Sequence, residues 1–417
     1  MSSAELSQTL CVDGRRLWQS LEQMGELGAT PTGGVRRLAL SREDKLARDM
    51  FVSLCRASGY AVRIDALGNI YARRPGRDES LAPVTTGSHL DSQPVAGKYD
   101  GPYGVLAGLE ALRSLDQHGV STRRPIELIV WTNEEGARFQ PVCMSSAAVA
   151  GVFPVQQALD AQDADGVCVG DALQTIGYAG PHDPVCPAMH CYIEAHIEQG
   201  PVLEREGLSI GAVEGVIGIE SYEVTLTGQA AHIGTTPMSY RRDALAGAAR
   251  IIHAVRQLGQ AYEPAGRASC SSIQVLPNVR SVIAQQAKLT ADCRHENNAQ
   301  LQAMHGQLRE LFTRIAEEEG LALQLDHIWT VPPTHFAPRC VEAVRAASAK
   351  WGYGVRKMYS GAAHDAMHIA RIAPTGMIFI PCKDGVSHNE AELITPEDAA
   401  AGANVLLHTL VALANGD

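Results

Sequence analysis

The feature that most constrains this chain is a strand, helix, strand run between Leu81 and Thr132. Leu81 to Thr86 reads as a short buried strand feeding His89, Gly104 to Leu115 as a helix, and Pro125-Ile126-Glu127-Leu128-Ile129-Val130-Trp131-Thr132 as a second strand. This order predicts an α/β sheet flanked by helices, and such sheets bind ligands in the loops at their strand ends. Both strands run straight into polar, ligand-type residues. The first leads to Ser88-His89-Leu90-Asp91, the second to Asn133-Glu134-Glu135-Gly136.

The pattern on either side extends this reading. Leu17, Leu21 and Met24 recur at helical spacing, and Ser41 with Glu43 and Asp44 behind it has the form of a capped helix start. Ala61 to Asp65 and Asn69 to Arg73 flank Leu67-Gly68 as a strand, turn and strand. From about Gly215 the periodicity changes. Ile219 to Thr227 alternates as a half-buried strand, Arg242 to Leu258 is an amphipathic helix, and Ile273-Gln274-Val275 and Ala287 to Asp292 are further strands. A helix from Asn298 to Glu318 and a strand near Leu321 to Leu325 complete a β-α-β-β-α-β order, the split ferredoxin-like arrangement. After Val331 the helix and strand alternation resumes, with Met377 to Pro381 leading to His388 and a closing helix from Pro396 to Ala414. At 417 residues two domains are expected. We read residues 1–214 and 331–417 as one catalytic α/β domain with a central mixed sheet, and 215–330 as an inserted ferredoxin-like α+β domain.

Charge and composition exclude several function classes. A formal charge of −11, with no Lys/Arg cluster beyond pairs such as Arg241-Arg242, lacks the basic stripe that nucleic acid requires. Met1 to Glu5 has no secretion-signal pattern and no run is apolar enough to cross a bilayer, so the sequence predicts a cytoplasmic protein without a membrane partner. Ten cysteines are scattered without a C-x-x-C pair, and Cys55, Cys143 and Cys293 sit among apolar neighbours as packed thiols would.

The ligand-type residues offer oxygen and imidazole nitrogen but no thiolate, the set suited to catalytic zinc, manganese or similar ions. His89 and Asp100, eleven positions apart, can converge from two loops onto one cation. Asp91, two residues after His89, can reach back to the ring nitrogen that His89 does not give to metal. Glu134 and Glu135 at a strand end point to opposite sides, so one can bind metal and the other handle protons. Glu194-Ala195-His196-Ile197-Glu198-Gln199-Gly200 and Ser387-His388-Asn389-Glu390 supply further donors. A competing site is His364-Asp365-Ala366-Met367-His368, whose histidines would share a helical face, although it lacks the glutamate such a motif uses as base.

Six ordered motifs now carry a resemblance. They are Gly87-Ser88-His89-Leu90-Asp91-Ser92-Gln93-Pro94, Gly97-Lys98-Tyr99-Asp100-Gly101, Trp131 through Phe139, His196-Ile197-Glu198-Gln199-Gly200-Pro201, Gly228 through Met238, and Gly385-Val386-Ser387-His388-Asn389. In order and spacing they resemble the hydantoinase/carbamoylase branch of the di-metal peptidase and amidohydrolase superfamily, which includes N-carbamoyl-L-amino acid hydrolases, β-ureidopropionase and allantoate amidohydrolase. The resemblance implies two divalent ions (zinc, or manganese, cobalt or nickel). Asp100 would bridge them, His89 and His196 would complete one site, and Glu135 and His388 the other. It further implies Glu134 as general base and acid, and His232 of the inserted domain as stabiliser of the oxyanion in a neighbouring subunit. A homodimer through the inserted domain follows. Gln199 and Arg294 correspond to substrate contacts, arginine suiting a carboxylate by its planar fork.

The chain departs from the branch where Asn-Val-Ile-Pro-Gly is usual, reading Ser281-Val282-Ile283-Ala284-Gln285, so Ser281 replaces a substrate-orienting amide. Ser145-Ser146 and Ala363 replace a usual Gly-Ser and glycine. The resulting expectation is a metal-dependent amidohydrolase that cleaves a small-molecule, non-peptide C–N bond. An N-carbamoyl amino acid is the first substrate class, with allantoate, an N-acyl or N-formyl amino acid or a dipeptide as alternatives. A non-catalytic metal-binding scaffold is the rival of a different class.

Overall fold

In the computed structural model, which describes residues 10–184 and 188–416, the first helices form where their ends are capped. Ser41 Oγ accepts from the Asp44 amide at 3.2 Å and starts the helix Arg42–Ala57, with Glu43 and Asp44 in its first turn. Such a cap contributes about 1 kcal/mol. Met1 to Glu5, read above for the absence of a secretion signal, lie outside the described residues. Two strands, β1 (Ala61–Ile64) and β2 (Ile70–Arg74), pair antiparallel across Leu67-Gly68, in register from Ala61 with Arg73 to Ile64 with Ile70.

The central run becomes β3 (Val84–His89), the helix Pro102–Gln117 and β4 (Ile126–Trp131). They are followed by β5 (Cys191–Ile197) and β6 (Ile210–Val216). Every residue of β3, β4 and β5 is buried, which is why burial does not alternate along them, and the polar residues inside them are hydrogen-bonded: Thr85 Oγ1 donates to Cys191 O at 2.7 Å and Ser88 Oγ to Glu194 at 3.1 Å. Gly104 lets the helix Pro102–Gln117 lie flat on β5, since a Cβ there would meet the Ala195 carbonyl oxygen at 2.1 Å.

The chain then builds a separate unit from β7 (Gly218–Thr227), the helix Ala244–Ala261, β8 (Arg267–Ser269), β9 (Ile273–Leu276), β10 (Gln286–His295), the helix Asn298–Glu318 and β11 (Ala322–Val331). Its sheet runs β11-β7-β10-β8, with β9 also on β10, all antiparallel. Burial alternates along β7 and β10, because only one face carries the helices. Tyr222, Val224, Leu226, Leu289, Ile251, Leu308 and Phe312 fill that core. This is the β-α-β-β-α-β order expected from periodicity with one strand added, the three-residue β8 before β9.

The chain ends with β12 (Thr334–His335), the helix Pro338–Lys350, β13 (Val355–Ser360), β14 (Thr375–Ile380) and the helix Pro396–Asn415. These strands rejoin the first sheet in the order β1-β2-β4-β3-β5-β14-β6-β12, with β13 on β6. Strands β4, β3, β5 and β14 are mutually parallel, while β2 and β6 flank them antiparallel, so the sheet is mixed. Two units result, Met1–Gly215 with His335–Asp417, and Val216–Thr334. Among the described residues no helix is long and apolar enough to cross a membrane, and the nine cysteines are free thiols.

Candidate metal centre

The four parallel strands all end on the same edge, and each releases one loop there: residues 90–101 after β3, 132–143 after β4, 198–201 after β5 and 381–395 after β14. His89 is the last residue of β3 and His196 the last but one of β5. Asp100, Glu134, Glu135, Gln199 and His388 come from the loops. Five non-glycine residues of these loops, Asn133, Cys143, Gln199, Asp384 and His388, have positive φ of 49–56°. Non-glycine residues rarely adopt this backbone, and it clusters at functional sites.

Asp100 is the shared element. Its Oδ1 lies 3.1 Å from His196 Nε2 and 3.8 Å from His89 Nε2, while its Oδ2 lies 3.2 Å from His388 Nε2, which is itself 3.4 Å from Glu135 Oε2. Two donor sets thus form, His89 with Asp100 and His196, and Asp100 with Glu135 and His388. Gly101 makes this possible. It has φ +84° and ψ −58°, and a Cβ would stand 2.4 Å from the His89 ring, so the Asp100 loop lies directly on that imidazole.

The rings are aimed by backbone carbonyls. His89 Nδ1 contacts Asp91 O at 2.9 Å and His196 Nδ1 contacts Ile197 O at 2.9 Å, which leaves both Nε2 atoms facing Asp100. This corrects one expectation. The Asp91 carboxylate stays 3.7 Å from His89 Nδ1 and instead accepts from the amides of Glu134 (3.3 Å) and Glu135 (3.2 Å). The ring is held by the Asp91 main chain, and the side chain braces the glutamate loop. Glu134 Oε2 is 3.6 Å from His89 Nε2 and belongs to neither donor set, whereas Glu135 Oε2 accepts from Gln93 Nε2 at 2.8 Å.

The electrostatics follow from burial. Burial, together with Asp365, Glu135, Asp91 and Asp100, pushes the Glu134 carboxyl well above its usual range. Burial and Asp100 raise Glu135 to about 8. Asp100 behaves oppositely, because His196 and His388 outweigh its burial and hold it well below the usual range. His388 is raised to about 9, chiefly by its bond to Asp100. For His196, burial acts downward, but Asp100 and Glu194 bring it up to about 9. Asp91, Asp100, Glu134 and Glu135 are each at most 7 % exposed. Burying that many carboxylates costs several kcal/mol apiece unless cations offset it.

The residues therefore fit divalent ions. His196 Nε2 and Glu135 Oε1 are buried without a hydrogen-bond partner, and His196 Nε2 lies near Asp100 Oδ1 but off the hydrogen-bond line, as two donors aimed at a common point would. An all-oxygen and imidazole set suits zinc, manganese, cobalt or nickel. Cys143 offers no alternative nucleophile, since burial beside Glu134 pushes its thiol well above the usual range.

Several residues that hold the centre were not singled out from the sequence. Glu392 Oε1 accepts from the Tyr99 and Asp100 amides (3.0 and 3.1 Å) and its Oε2 from Ser387 Oγ (2.9 Å), tying the Asp100 loop to the His388 loop. Its neighbour in the motif, Glu390, turns away to Thr30 and Thr32. Buried Arg37 donates to Leu90 O at 2.6 Å, and the buried Arg48–Asp44 pair reaches Thr132 Oγ1 at 3.3 Å. Glu194, by contrast, was among the donors read from the sequence, and it accepts from Ser88 Oγ (3.1 Å) and the Ala366 amide (3.0 Å). A carboxylate within four residues of His388 was the one legible signal for Glu392.

The competing histidine pair does not assemble. His364 precedes the short helix Asp365–Ile369 with extended φ −148°, so it shares no helical face with His368, and His368 joins no donor cluster. The His364 ring packs edge-on at 4.4 Å from that of His196. The centre opens into a cavity of about 140 Å³ walled by Val142, Ala362 and Ala363, with Gln199 Nε2 bonded to Asp100 Oδ2 at 2.8 Å. Ala363, one of the departures, thus lines the cavity. The remaining predicted residues belong to the inserted unit. His232 is exposed and its Nδ1 accepts from the Gly234 amide at 3.0 Å, the Ser281 carbonyl accepts from Ile233 N beside it, and Arg294 lies 3.5 Å from Asp292 on the sheet face away from the helices.

With this edge of the sheet in view, the family is plain: the chain belongs to peptidase family M20/M25/M40, whose sequence profile matches residues 85–412. Within that family it falls in the hydantoinase/carbamoylase branch. It is 40 % identical over 400 residues to an N-carbamoyl-L-amino-acid amidohydrolase of Rhizobium meliloti, covering 96 % of each chain. A second N-carbamoyl-L-amino acid amidohydrolase, of Geobacillus stearothermophilus, is 38 % identical over 414 residues, covering 97 % of this chain and all of that one. The crystal structure of an amidase of the hydantoinase/carbamoylase family from Burkholderia multivorans superposes with a TM-score of 0.96 at 48 % identity, covering 98 % of this chain and 99 % of that one.

Proposed function

We propose that this protein is a metal-dependent amidohydrolase that cleaves the carbamoyl C–N bond of an N-carbamoyl amino acid, releasing ammonia, carbon dioxide and the amino acid. The observation that carries the hydrolytic part is Asp100, whose two oxygens are divided between two imidazole and carboxylate donor sets with Glu134 beside them. The substrate class rests on the names of the relatives. His89, Asp100 and His196 would hold one ion, and Asp100, Glu135 and His388 the other. Divalent ions there would supply Lewis acidity toward a carbonyl oxygen and acidify a water molecule.

The chain's own residues supply the rest. Glu134, in no donor set and with its proton affinity raised by its surroundings, takes the proton of the attacking water and returns it to the leaving nitrogen. His232 stabilises the tetrahedral oxyanion from a second subunit. Arg294 grips the substrate carboxylate, with Gln199 at the cavity wall. Dimerisation through the inserted unit is supported by its exposed apolar side chains, Met238, Tyr240, Leu276 and Val279, which are 53–77 % exposed.

The test is an ammonia- and amine-release screen of chelated and metal-reloaded protein against N-carbamoyl, N-formyl and N-acetyl amino acids, allantoate and small peptides. Metal-dependent turnover of N-carbamoyl amino acids is expected. Bound metal without turnover on the whole panel would favour the scaffold reading. Arg294→Lys keeps the charge but loses the fork, and is expected to lower kcat/KM for carboxylate-bearing substrates, while Ser281→Asn raises it. An unchanged kcat/KM in Arg294→Lys on every substrate would remove the carboxylate assignment.

A further inference from the structure

We infer that the inserted unit carries a transition-metal site of its own, formed by Glu220, His305 and His327 and independent of the centre described above. All three belong to the unit Val216–Thr334, and they come from three different elements: Glu220 from β7, His305 from the helix Asn298–Glu318 and His327 from β11. Their donor atoms lie within 4.8 Å of one another. Glu220 is 1 % exposed, although it occupies a core-facing position of β7 between Gly218 and Tyr222, where an apolar side chain would pack at no electrostatic cost.

The backbone is bent to build this arrangement. Along β11, Leu323, Leu325 and His327 face the helices, and alternation would send Thr330 to the opposite side. A bulge between His327 and Trp329 shifts the register, pairing His327 with Tyr222 and Thr330 with Glu220. As a result His327 Nε2 and Thr330 Oγ1 both reach Glu220 Oε2 at 2.7 Å, and Gln302 Nε2 donates to Oε1 at 2.7 Å. Bulges re-aim side chains in this way next to functional sites.

His305 Nδ1 stands 3.4 Å from Glu220 Oε2, close to the roughly 3.3 Å between donors on one tetrahedral zinc. The 2.7 Å separation of His327 from Glu220 is a hydrogen bond whose proton occupies the place of the ion. An ion entering there displaces that proton, keeps Gln302 on Oε1 and leaves the Tyr222 hydroxyl, 2.7 Å from His305 Nδ1, to turn toward a neighbouring acceptor. The donors line an open cleft of about 430 Å³, so an ion has access, and Arg309 in the same cleft favours an anion at the remaining coordination position. Two imidazoles and one carboxylate suit zinc, nickel or cobalt above magnesium or calcium. An ion held by all three would cross-link the edge strand β11 to β7 and the helix, and stabilise the unit by mass action.

The experiment uses the full chain with Asp100→Ala and His388→Ala, which disable the first centre, and measures zinc bound after dialysis at low-micromolar free metal. One ion per chain is expected, falling to none when His305→Ala or His327→Ala is added. These two partly exposed histidines are chosen because Glu220→Gln risks the fold, and circular dichroism checks that each variant remains folded. Addition of zinc should also raise Tm in the parent and not in the histidine variants. No zinc in the parent, or the same zinc with and without the histidines, would overturn the site. Either result leaves the reading of the Asp100 centre untouched.

Discussion

Gly101→Ala tests whether the Asp100 loop is seated on the His89 ring. Two terms act at this position. The backbone, at φ +84° and ψ −58°, lies where an L-residue is strained, at a cost of about 1–2 kcal/mol. The added methyl would stand 2.4–2.6 Å from three atoms of the His89 imidazole, so the ring or the loop must move, and overpacking of this kind costs about 1–3 kcal/mol. Gly119→Ala separates the two, because Gly119 also has positive φ (63°) but nothing lies within 4 Å of its Cβ. Chelated Gly101→Ala should lose roughly 2–5 kcal/mol against about 1–2 for Gly119→Ala, measured by urea unfolding. The more specific readout is metal. Displacing His89 disturbs one donor set and displacing Asp100 disturbs both, so Gly101→Ala should bind its ions at least tenfold more weakly while Gly119→Ala binds as the parent does. Equal destabilisation of the two variants with parental metal affinity in both would refute the packing of this loop on His89.

Glu134→Gln should retain its metal and lose turnover by roughly 10²–10⁴-fold or more, whereas Asp100→Ala should lose both ions, as metal analysis and the release assay would report. Full two-ion occupancy in Asp100→Ala would mean that the shared donor is misassigned. Mixing inactive His232→Ala and Glu134→Gln proteins under verified subunit exchange should restore partial activity, because one mixed site then holds both intact residues; silence would place His232 within its own subunit or outside catalysis. In the chelated protein, His196 and His388 are raised to about 9 and Glu135 to about 8, so all three carry protons at neutral pH that an ion must displace. Apparent metal affinity should therefore rise with pH up to about 9 and then level, with proton release visible by calorimetry in two buffers of different ionisation enthalpy; an affinity flat between pH 6 and 9 would contradict those protonation states.

The runs at Ile126–Trp131 and Thr375–Ile380 declared themselves in the sequence, because strands buried on both faces are largely apolar. The polar residues immediately beyond them were legible as ligand types, because an acidic or imidazole side chain at the end of an apolar run has to find a partner there. The change of periodicity near Gly215 likewise announced a one-sided antiparallel sheet. Chemistry of side chains and period of burial are local properties, and the chain carries them in order. What tertiary structure alone decided is adjacency. The strand order β4-β3-β5-β14 brings His388 to within 3.2 Å of Asp100 across 288 residues, and that order is a matter of long-range pairing. It also decided between near-equivalent neighbours. Glu392 and not Glu390 braces Asp100, and the Asp91 carbonyl and not its carboxylate orients His89. His364 falls outside the helix that would have aligned it with His368. The competing atoms lie within one residue at Asp91, two residues apart at Glu390 and Glu392 and four at His364 and His368, so sequence offers them as equivalents, and packing from elsewhere in the fold selects which of them faces the centre.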